Sequence, residues 1–417
     1  MLRRGDDADR STVARHATLP TPSAISTLLK FLGIALGVVA VSAVAVAAFV
    51  VVDVFNRVGD GAVALEGAPE VDPPALGAYP ADKSFSILII GTDECGAKAT
   101  ALFAERCSEA DGLSRNDVNL FVHVSAEPRN VTVVSLPRDL GVAVPECTRP
   151  DGSVASSMWK ASINSVFEHA GLSCVVKTVS ELGDIPIEYA AKISFDGVMA
   201  VTDAIGGVEV CIAGDGIKDR HTGIDWPAGT RTVSGVEALQ FIRTRHGVGD
   251  ESDLARISNQ QQYMSRLAKK VLSEDTLTDV TKVLGIAGAI ADNIDPSESL
   301  NDPLRLAQFA LALKDVRFSD FVFVQYPNVA DPDDDDKVVP NEADAEALWA
   351  AIKSGQPLQL TGDVTSHRGV ELVTPAPGAT PAPTTEATAA PEVRTTLPPD
   401  ITGQTLEQET CSVGNQR

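Results

Sequence analysis

Apolar positions follow three regimes along the chain. The first is one unbroken run, Phe31 to Val52, FLGIALGVVAVSAVAVAAFVVV, 22 residues without a charge or an amide. As a helix rising 1.5 Å per residue it covers roughly 33 Å, enough to cross a bilayer. It is longer than the ~7–15 residues of a signal-peptide core, and no clear cleavage site follows it. The pattern predicts a retained transmembrane helix over 31–52, preceded by a short segment, 1–30, and followed by a Gly/Pro/Ala-rich linker, 53–84.

The second regime, 85–360, alternates strand-like and helix-like stretches. Phe85 to Ile90 (FSILII) is a continuous apolar run closed by Gly91, as in a buried central strand. Val118 to Val124, Val131 to Leu136, Ile187 to Ile193, Val208 to Ile212 and Phe321 to Val324 read as further strands. Ile163, Val166 and Phe167 mark an amphipathic helix stopped at Gly171, and Phe195 to Ile205 a helix ended by Gly206-Gly207. Asp253 to Ser273 is a long helix, with Leu254, Ile257, Gln261, Met264, Ala268 and Val271 on one stripe. Strands alternating with helices predict an α/β fold, an αβα sandwich with a central mixed sheet.

The third regime, 361–417, is rich in Pro, Ala and Thr, with seven prolines between Pro375 and Pro399. Such a composition buries too little apolar surface to offset chain entropy, and predicts a disordered tail. The acidic run Asp331, Asp333, Asp334, Asp335 and Asp336 lacks the glycine and closing glutamate of a calcium loop and reads as solvated.

Charge assigns sides to the membrane. Residues 1–30 hold five basic and three acidic residues, and the rest of the chain carries a net charge of −25 within a total of −23. By the positive-inside rule the N-terminus is cytoplasmic and 53–417 lies outside the cell. An excess of acids of this size argues against a nucleic-acid partner. The six cysteines suit an oxidising compartment, and proximity pairs Cys95 with Cys107 and Cys147 with Cys174.

Candidate chemistry falls in four short segments. Gly91-Thr92-Asp93 closes the FSILII strand, Ser114-Arg115-Asn116-Asp117 precedes the next, and Ser135-Leu136-Pro137-Arg138-Asp139 closes the third. The fourth is Arg243-Thr244-Arg245, followed by Asp253, Arg256 and Gln260 on one helix face. Arginines gathered at strand ends suit a multiply charged phosphate, because guanidinium forks match its oxygens. Two carboxylates, Asp93 and Asp117, can hold one Mg²⁺, an ion content with one or two carboxylates plus phosphate oxygens. Structural Arg–Asp pairing is the plainer reading of each segment alone. No G-x-S-x-G elbow or phosphate-binding P-loop occurs, and His123, inside an apolar strand, reads as a core histidine.

Together these segments resemble the LytR-CpsA-Psr family. FSILIIGTD, SRND, VVSLPRDL, INSVFEHAG, DAIGGVEVCI, ALQFIRTRH and the D-x-x-R-x-x-x-Q helix carry the resemblance across roughly Phe85 to Leu360. It implies a membrane-anchored phosphotransferase that moves an anionic glycopolymer from a polyprenyl-pyrophosphate carrier to peptidoglycan. It further implies Mg²⁺ on Asp93 and Asp117, pyrophosphate on Arg115, Arg138, Arg243, Arg245, Arg256 and Gln260, and Asp253 as a support for the arginines. Arg138, Asp117 and Arg243 are then the expected catalytic groups. A polyprenyl-pyrophosphate phosphohydrolase and a non-catalytic binder of lipid-linked glycans are the competing readings. Departures from the family pattern are the long 94–114 insertion, Ser162 where a lysine is frequent (with Lys160 nearby), and Asn259 where an arginine is common.

Overall fold

A computed structural model describes residues 61–103, 107, 114–273, 280–366, 368–373 and 393–415. The predicted transmembrane stretch 31–52 and the segment before it lie outside these residues. Among the described residues no helix is long and apolar enough to cross a membrane.

Seven strands form the central sheet. In chain order they are β1 (Phe85–Thr92), β2 (Asn116–Val124), β3 (Val131–Leu136), β4 (Tyr189–Ile193), β7 (Ile294–Pro296), β8 (Phe321–Gln325) and β10 (Gly403–Thr405). Between β4 and β7 run β5 (Val208–Ala213) and β6 (Gly229–Val233); β9 (Val370–Leu372) precedes β10 and β11 (Thr410–Val413) follows it. The spatial order is β7-β4-β1-β2-β3-β8-β10. β1–β4 and β3–β8 are parallel and the other pairs antiparallel, so the sheet is mixed, as predicted. A second sheet runs β6-β5-β11-β9.

Period-two alternation sends each strand's side chains into two cores. Leu88, Ile90, Phe121, Val134 and Val324 face the first, beneath helices α2 (Val166–Gly183) and α8 (Glu342–Lys353). Phe85, Ile87, Ile89, Leu120, Val133 and Phe323 face the second, with α5 (Asp253–Val271) and α7 (Pro303–Leu313). Phe85 stacks on Phe309 of α7 with ring centroids 4.2 Å apart. Such a pair adds about 0.5–1.5 kcal/mol beyond its buried area. The remaining helices are α1 (Ala97–Leu102), α3 (Phe195–Ala204), α4 (Gly235–Arg243) and α6 (Val280–Asn293).

Three features differ from expectation. Gly171 interrupts α2 without ending it: Ala170 and Gly171 leave helical geometry, Gly171 at φ 78°, and the helix resumes to Gly183. The linker is seated on the domain over its described part. Val63 bridges Ser297, Glu66 pairs with Lys177 at 2.7 Å, and Tyr79 is buried against Phe85 and Phe309. The disorder expected for 361–417 does not hold for 393–415. There β10 pairs with β8 and β11 with β5, and Leu397, Ile401 and Leu406 are buried. Residues 374–392, where five of the seven prolines fall, lie outside the described residues. All six cysteines are bonded, Cys95–Cys107 and Cys147–Cys174 as expected and Cys211–Cys411 tying β5 to β11.

Candidate active site

The chemistry collects where β1, β2 and β3 end. Gly91 pairs with Val118 and Thr92 with Asn116, which leaves Asp117 as the extra residue of a β-bulge. Bulges re-aim side chains beside sites, and Asp117 turns into a cavity of about 130 Å³. Gly91, Arg138, Arg243, Arg256 and Gln260 share its wall, with Ile193, Phe195, Val198, Leu239 and Ile242. An apolar slot lined by Val118, Leu120, Ile242, Met264 and Phe323 shares Val118, Ile242 and Gln260 with it.

Arg138 is the hub. Its guanidinium lies 3.5 Å from Asp117, 3.2 Å from Asp139 and 3.6 Å from Asp253, and Asp253 pairs with Arg256 at 2.5 Å. The arginines therefore do have matching acids close by. Burial opposes the charge of Arg138, but Asp117, Asp253 and Asp139 outweigh it and hold the guanidinium above its ordinary value. Burial pushes Asp139 up, against the pull of Arg138. The Nε of Arg256, a residue only 6% exposed, has no hydrogen-bond partner among the described residues, a cost that a ligand oxygen would relieve. Arg243 stands over aromatic faces, 4.8 Å from the Phe195 ring and 5.5 Å from the Phe103 ring. Phe103 comes from the 94–114 insertion, which is closed by Cys95–Cys107; the Asp196 carboxylate of α3 accepts the amides of Lys98 and Ala99 at the start of α1.

Arg115, Asp93 and Arg245 stand apart from the cavity wall. Arg115 is 60% exposed in its side chain and lies 4.0 Å from Glu168. Its amide donates to Asp93 Oδ1 at 2.8 Å, so this Asp93 oxygen closes the end of the β1–β2 ribbon. Arg245 Nε donates to the carbonyl of Glu251 at 3.0 Å. Gln260 lines the cavity but spends its amide NH₂ on the carbonyl of Ile242, 2.8 Å away at the end of α4. Lys160 is committed to Asp331 at 2.6 Å and Asp333 at 3.2 Å, which gives the acidic run a bracing role.

Sequence reasoning missed the supports. Asp219, 2% exposed, accepts the Thr244 hydroxyl at 2.7 Å and the Arg245 amide at 3.2 Å, and so anchors the Arg243–Arg245 segment. Burial pushes its carboxyl up, but the Thr244 hydroxyl and the amides of His221 and Arg245 prevail and hold it below the usual range. Asn116, fully buried, donates to Asn119 at 2.6 Å and to the Ile163 carbonyl at 3.1 Å, which seats the β2 end against α2. No local signal marks Asp219; Asn116 was visible only as part of SRND.

A larger cavity, about 660 Å³, lies on the α2 face between residues 62–66 and Phe167, Leu172 and Lys192. It is mainly apolar, and its cations are engaged: Lys192 with Glu94 and Asp295, Arg149 with the carbonyls of His169 and Val154. Chemistry, not size, therefore selects the smaller cavity.

Comparison with known proteins follows the same lines. The model of the LytR_cpsA_psr family matches residues 50–353. The cell wall biosynthesis protein LcpA of Corynebacterium glutamicum is 27% identical over 268 residues, 59% of this chain and 50% of that protein. The polyisoprenyl-teichoic acid–peptidoglycan teichoic acid transferase TagT of Bacillus subtilis is 27% identical over 242 residues, 57% of this chain and 67% of that protein. The match thus spans about half to two thirds of these relatives. Among solved structures, protein gbs0355 of Streptococcus agalactiae aligns with a TM-score of 0.52 at 20% identity, over 66% of this chain and 88% of that one. B. subtilis TagV aligns with a TM-score of 0.50 at 21% identity, over 66% and 97%. At these identities the two structures speak to the fold.

Proposed function

This chain belongs to the LytR_cpsA_psr family, and from that premise we propose that it transfers an anionic glycopolymer from a polyprenyl-pyrophosphate carrier to peptidoglycan, outside the cell. One observation carries the reading. Arg138, more than a hundred residues upstream, meets Arg243 and Arg256 of the fourth segment, with Asp117 and Gln260, around a single cavity that adjoins an apolar slot. At about 130 Å³ the cavity is below the ~300–1,000 Å³ of a drug-sized ligand and suits a diphosphate head. The names of LcpA and TagT, for cell-wall biosynthesis and teichoic-acid transfer, support the same chemistry.

In this reading the guanidiniums of Arg138, Arg243 and Arg256 take the diphosphate oxygens. A hydroxyl of the peptidoglycan acceptor attacks the sugar-linked phosphorus. The bond from that phosphorus to the bridging oxygen breaks, and its electrons leave on polyprenyl phosphate, where the preplaced cations stabilise the growing charge. The hydroxyl proton passes to a carboxylate of the site. Asp93 and Asp117, each one residue beyond a member of the Thr92–Asn116 pair, are the groups that would hold Mg²⁺. When bound, the ion supplies further neutralisation of the diphosphate. Three disulfides agree with an oxidising exterior, and the 31–52 stretch would supply a single-pass anchor with a cytoplasmic N-terminus.

The test is product analysis with the full chain and a lipid-linked glycopolymer, with and without peptidoglycan. Polymer joined to peptidoglycan, with polyprenyl phosphate released, is the expected result. Release to water in both arms would make the protein a phosphohydrolase, and carrier retained without turnover would make it a binder.

A further inference from the structure

The end of the described chain reaches the site from behind. β11 lies between β5 and β9 in the second sheet and is held to β5 by Cys211–Cys411. From there its polar groups run into α4, α5 and the loop between them. Ser412 Oγ donates to Asn259 Oδ1 at 2.5 Å, and Asn259 Nδ2 donates to the carbonyl of Phe241 at 2.7 Å. Gln262 Nε2, one helical turn on, donates to Ser412 Oγ at 3.1 Å and to the Cys211 carbonyl at 2.7 Å. Ser412 and Asn259 are fully buried and Gln262 is 1% exposed, so each of these bonds stands in for water that is not available.

The carbonyls that receive these donors matter. A helix leaves its last carbonyls without intrahelical partners. α4 ends at Arg243, and its Phe241 and Ile242 carbonyls are taken by the side-chain amides of Asn259 and Gln260. The last turn of α4, and with it the root of Arg243, is thus fixed by α5, while Ser412 fixes the amide of Asn259.

Below the relay the same strand clamps the loop. Gly249 N donates to the Val413 carbonyl at 3.0 Å, and Asn415 N to the Gly247 carbonyl at 2.9 Å. Asn415 Nδ2 donates to the Glu251 carboxylate and, at 3.3 Å, to the His246 carbonyl. Glu251 holds φ at +68°, a left-handed conformation costly for a residue with a side chain, and its carbonyl receives Arg245 Nε. Asn415 therefore steadies the strained residue on which Arg245 leans, just ahead of the α5 start that bears Asp253 and Arg256. Gly414 is irreplaceable at this crossing, since a Cβ there would meet the Gly216 carbonyl oxygen at 1.7 Å.

We propose that the C-terminal strand is a positioning element of the arginine cluster, with Ser412 acting through Asn259 on Arg243 and Asn415 acting through Glu251 on the Arg245 loop. This rests on the diphosphate reading of the site. It assigns work to a stretch whose composition reads as tail, and to Asn259, buried between that stretch and the end of α4.

The test is titration of the full chain with inorganic pyrophosphate in Mg²⁺-containing buffer. The set comprises wild type, Arg138→Ala, Ser412→Ala, Asn415→Ala, Asn415→Asp, and Asn415→Asp combined with Glu251→Gln. Because Cys211–Cys411 keeps the strand attached, the single variants at Ser412 and Asn415 should melt close to wild type. Ser412→Ala and Asn415→Ala should bind pyrophosphate about 5–30-fold more weakly, the scale of one buried donor or acceptor left unpaired. Asn415→Asp sets two carboxylates face to face and should bind weaker still; Glu251→Gln returns a donor to that contact and should recover most of the loss. That recovery is what a merely structural role would not produce. Wild-type affinity in both alanine variants while Arg138→Ala fails, or a double variant no better than Asn415→Asp, overturns the positioning role and leaves the site reading intact. Absence of pyrophosphate binding by wild type overturns both.

Discussion

Arg138→Ala removes a cation ringed by three carboxylates. Asp139, Asp117 and Asp253 lie 3.2, 3.5 and 3.6 Å from its guanidinium, and the side chain is 26% exposed. Breaking a fully buried pair costs about 3–5 kcal/mol; partial exposure screens this one, so a loss of about 2 kcal/mol in folding stability is expected. The loss should depend on pH with a definite sign. Burial already raises the Asp139 carboxyl, and Arg138 opposes that rise. Without Arg138 the carboxyl climbs further, and a carboxyl raised in the folded state costs stability when ionised and regains it when protonated. The gap between variant and wild type in urea unfolding should therefore be widest near neutrality and narrow as pH falls into the carboxylate range. In the transfer assay the same variant loses one preplaced donor to the leaving phosphate, worth about 2.7–4 kcal/mol or 10²–10³ in rate. Arg138→Lys keeps the charge without the fork and should fall between, about tenfold down. Unimpaired polymer transfer by Arg138→Ala, or a stability gap that is flat from neutral to acid, would refute this account of the hub.

Arg243→Ala should lower transfer by about 10²–10³ in the same assay, and retention of wild-type rate would remove it from the machinery. Burial depresses the His123 imidazole from 6.5 to about 4. Its contribution is complete above pH 6.5 and is lost as pH falls toward 4, up to about 3 kcal/mol in all, and a His123→Gln variant followed by urea unfolding should lack that slope. Cys211→Ser with Cys411→Ser opens a closure across 200 residues and should cost about 3–5 kcal/mol, seen as a lower Tm that reductant shifts by less than it shifts the wild type, since Cys95–Cys107 and Cys147–Cys174 remain.

What could be read ahead of the structure was whatever is written locally. FSILII is apolar on both faces because β1 lies mid-sheet between two cores, and the Asp and Arg residues at strand ends follow from where loops leave a sheet. Side-chain direction is not local. Arg115 and Arg245 belong to the same motifs as Arg138 and Arg243, yet one points to Glu168 and the other to the Glu251 carbonyl. Gln260 looks like a ligand group until the unsatisfied end of α4 is seen beside it. Asp219, Asn259 and Ser412 act on residues 18 to 153 positions away, so no spacing rule reaches them. The tail was misjudged because the prolines of 375–391 dominate its composition, whereas Leu397, Ile401, Leu406 and Cys411 are spaced to bury one after another.

The charge around Arg138 also bears on how the proposed diphosphate site would fit on so acidic a chain. Arg138 and Arg256 are paired with Asp117, Asp139 and Asp253, and with Arg243 on the same wall the three arginines and three carboxylates are formally neutral before any ligand arrives. It is no basic patch of the kind that draws polyanions from solution, and a net charge of −23 repels them further. Recognition must then come from geometry at short range: the forks of Arg138 and Arg256, and the partnerless Nε of Arg256. On the proposed function a long polyanion gains nothing in such a place, whereas a diphosphate whose lipid lay in the adjoining slot would arrive at high local concentration. On that reading Asp117, Asp139 and Asp253 hold Arg138 and Arg256 in position and would select against anions that lack the apolar tether.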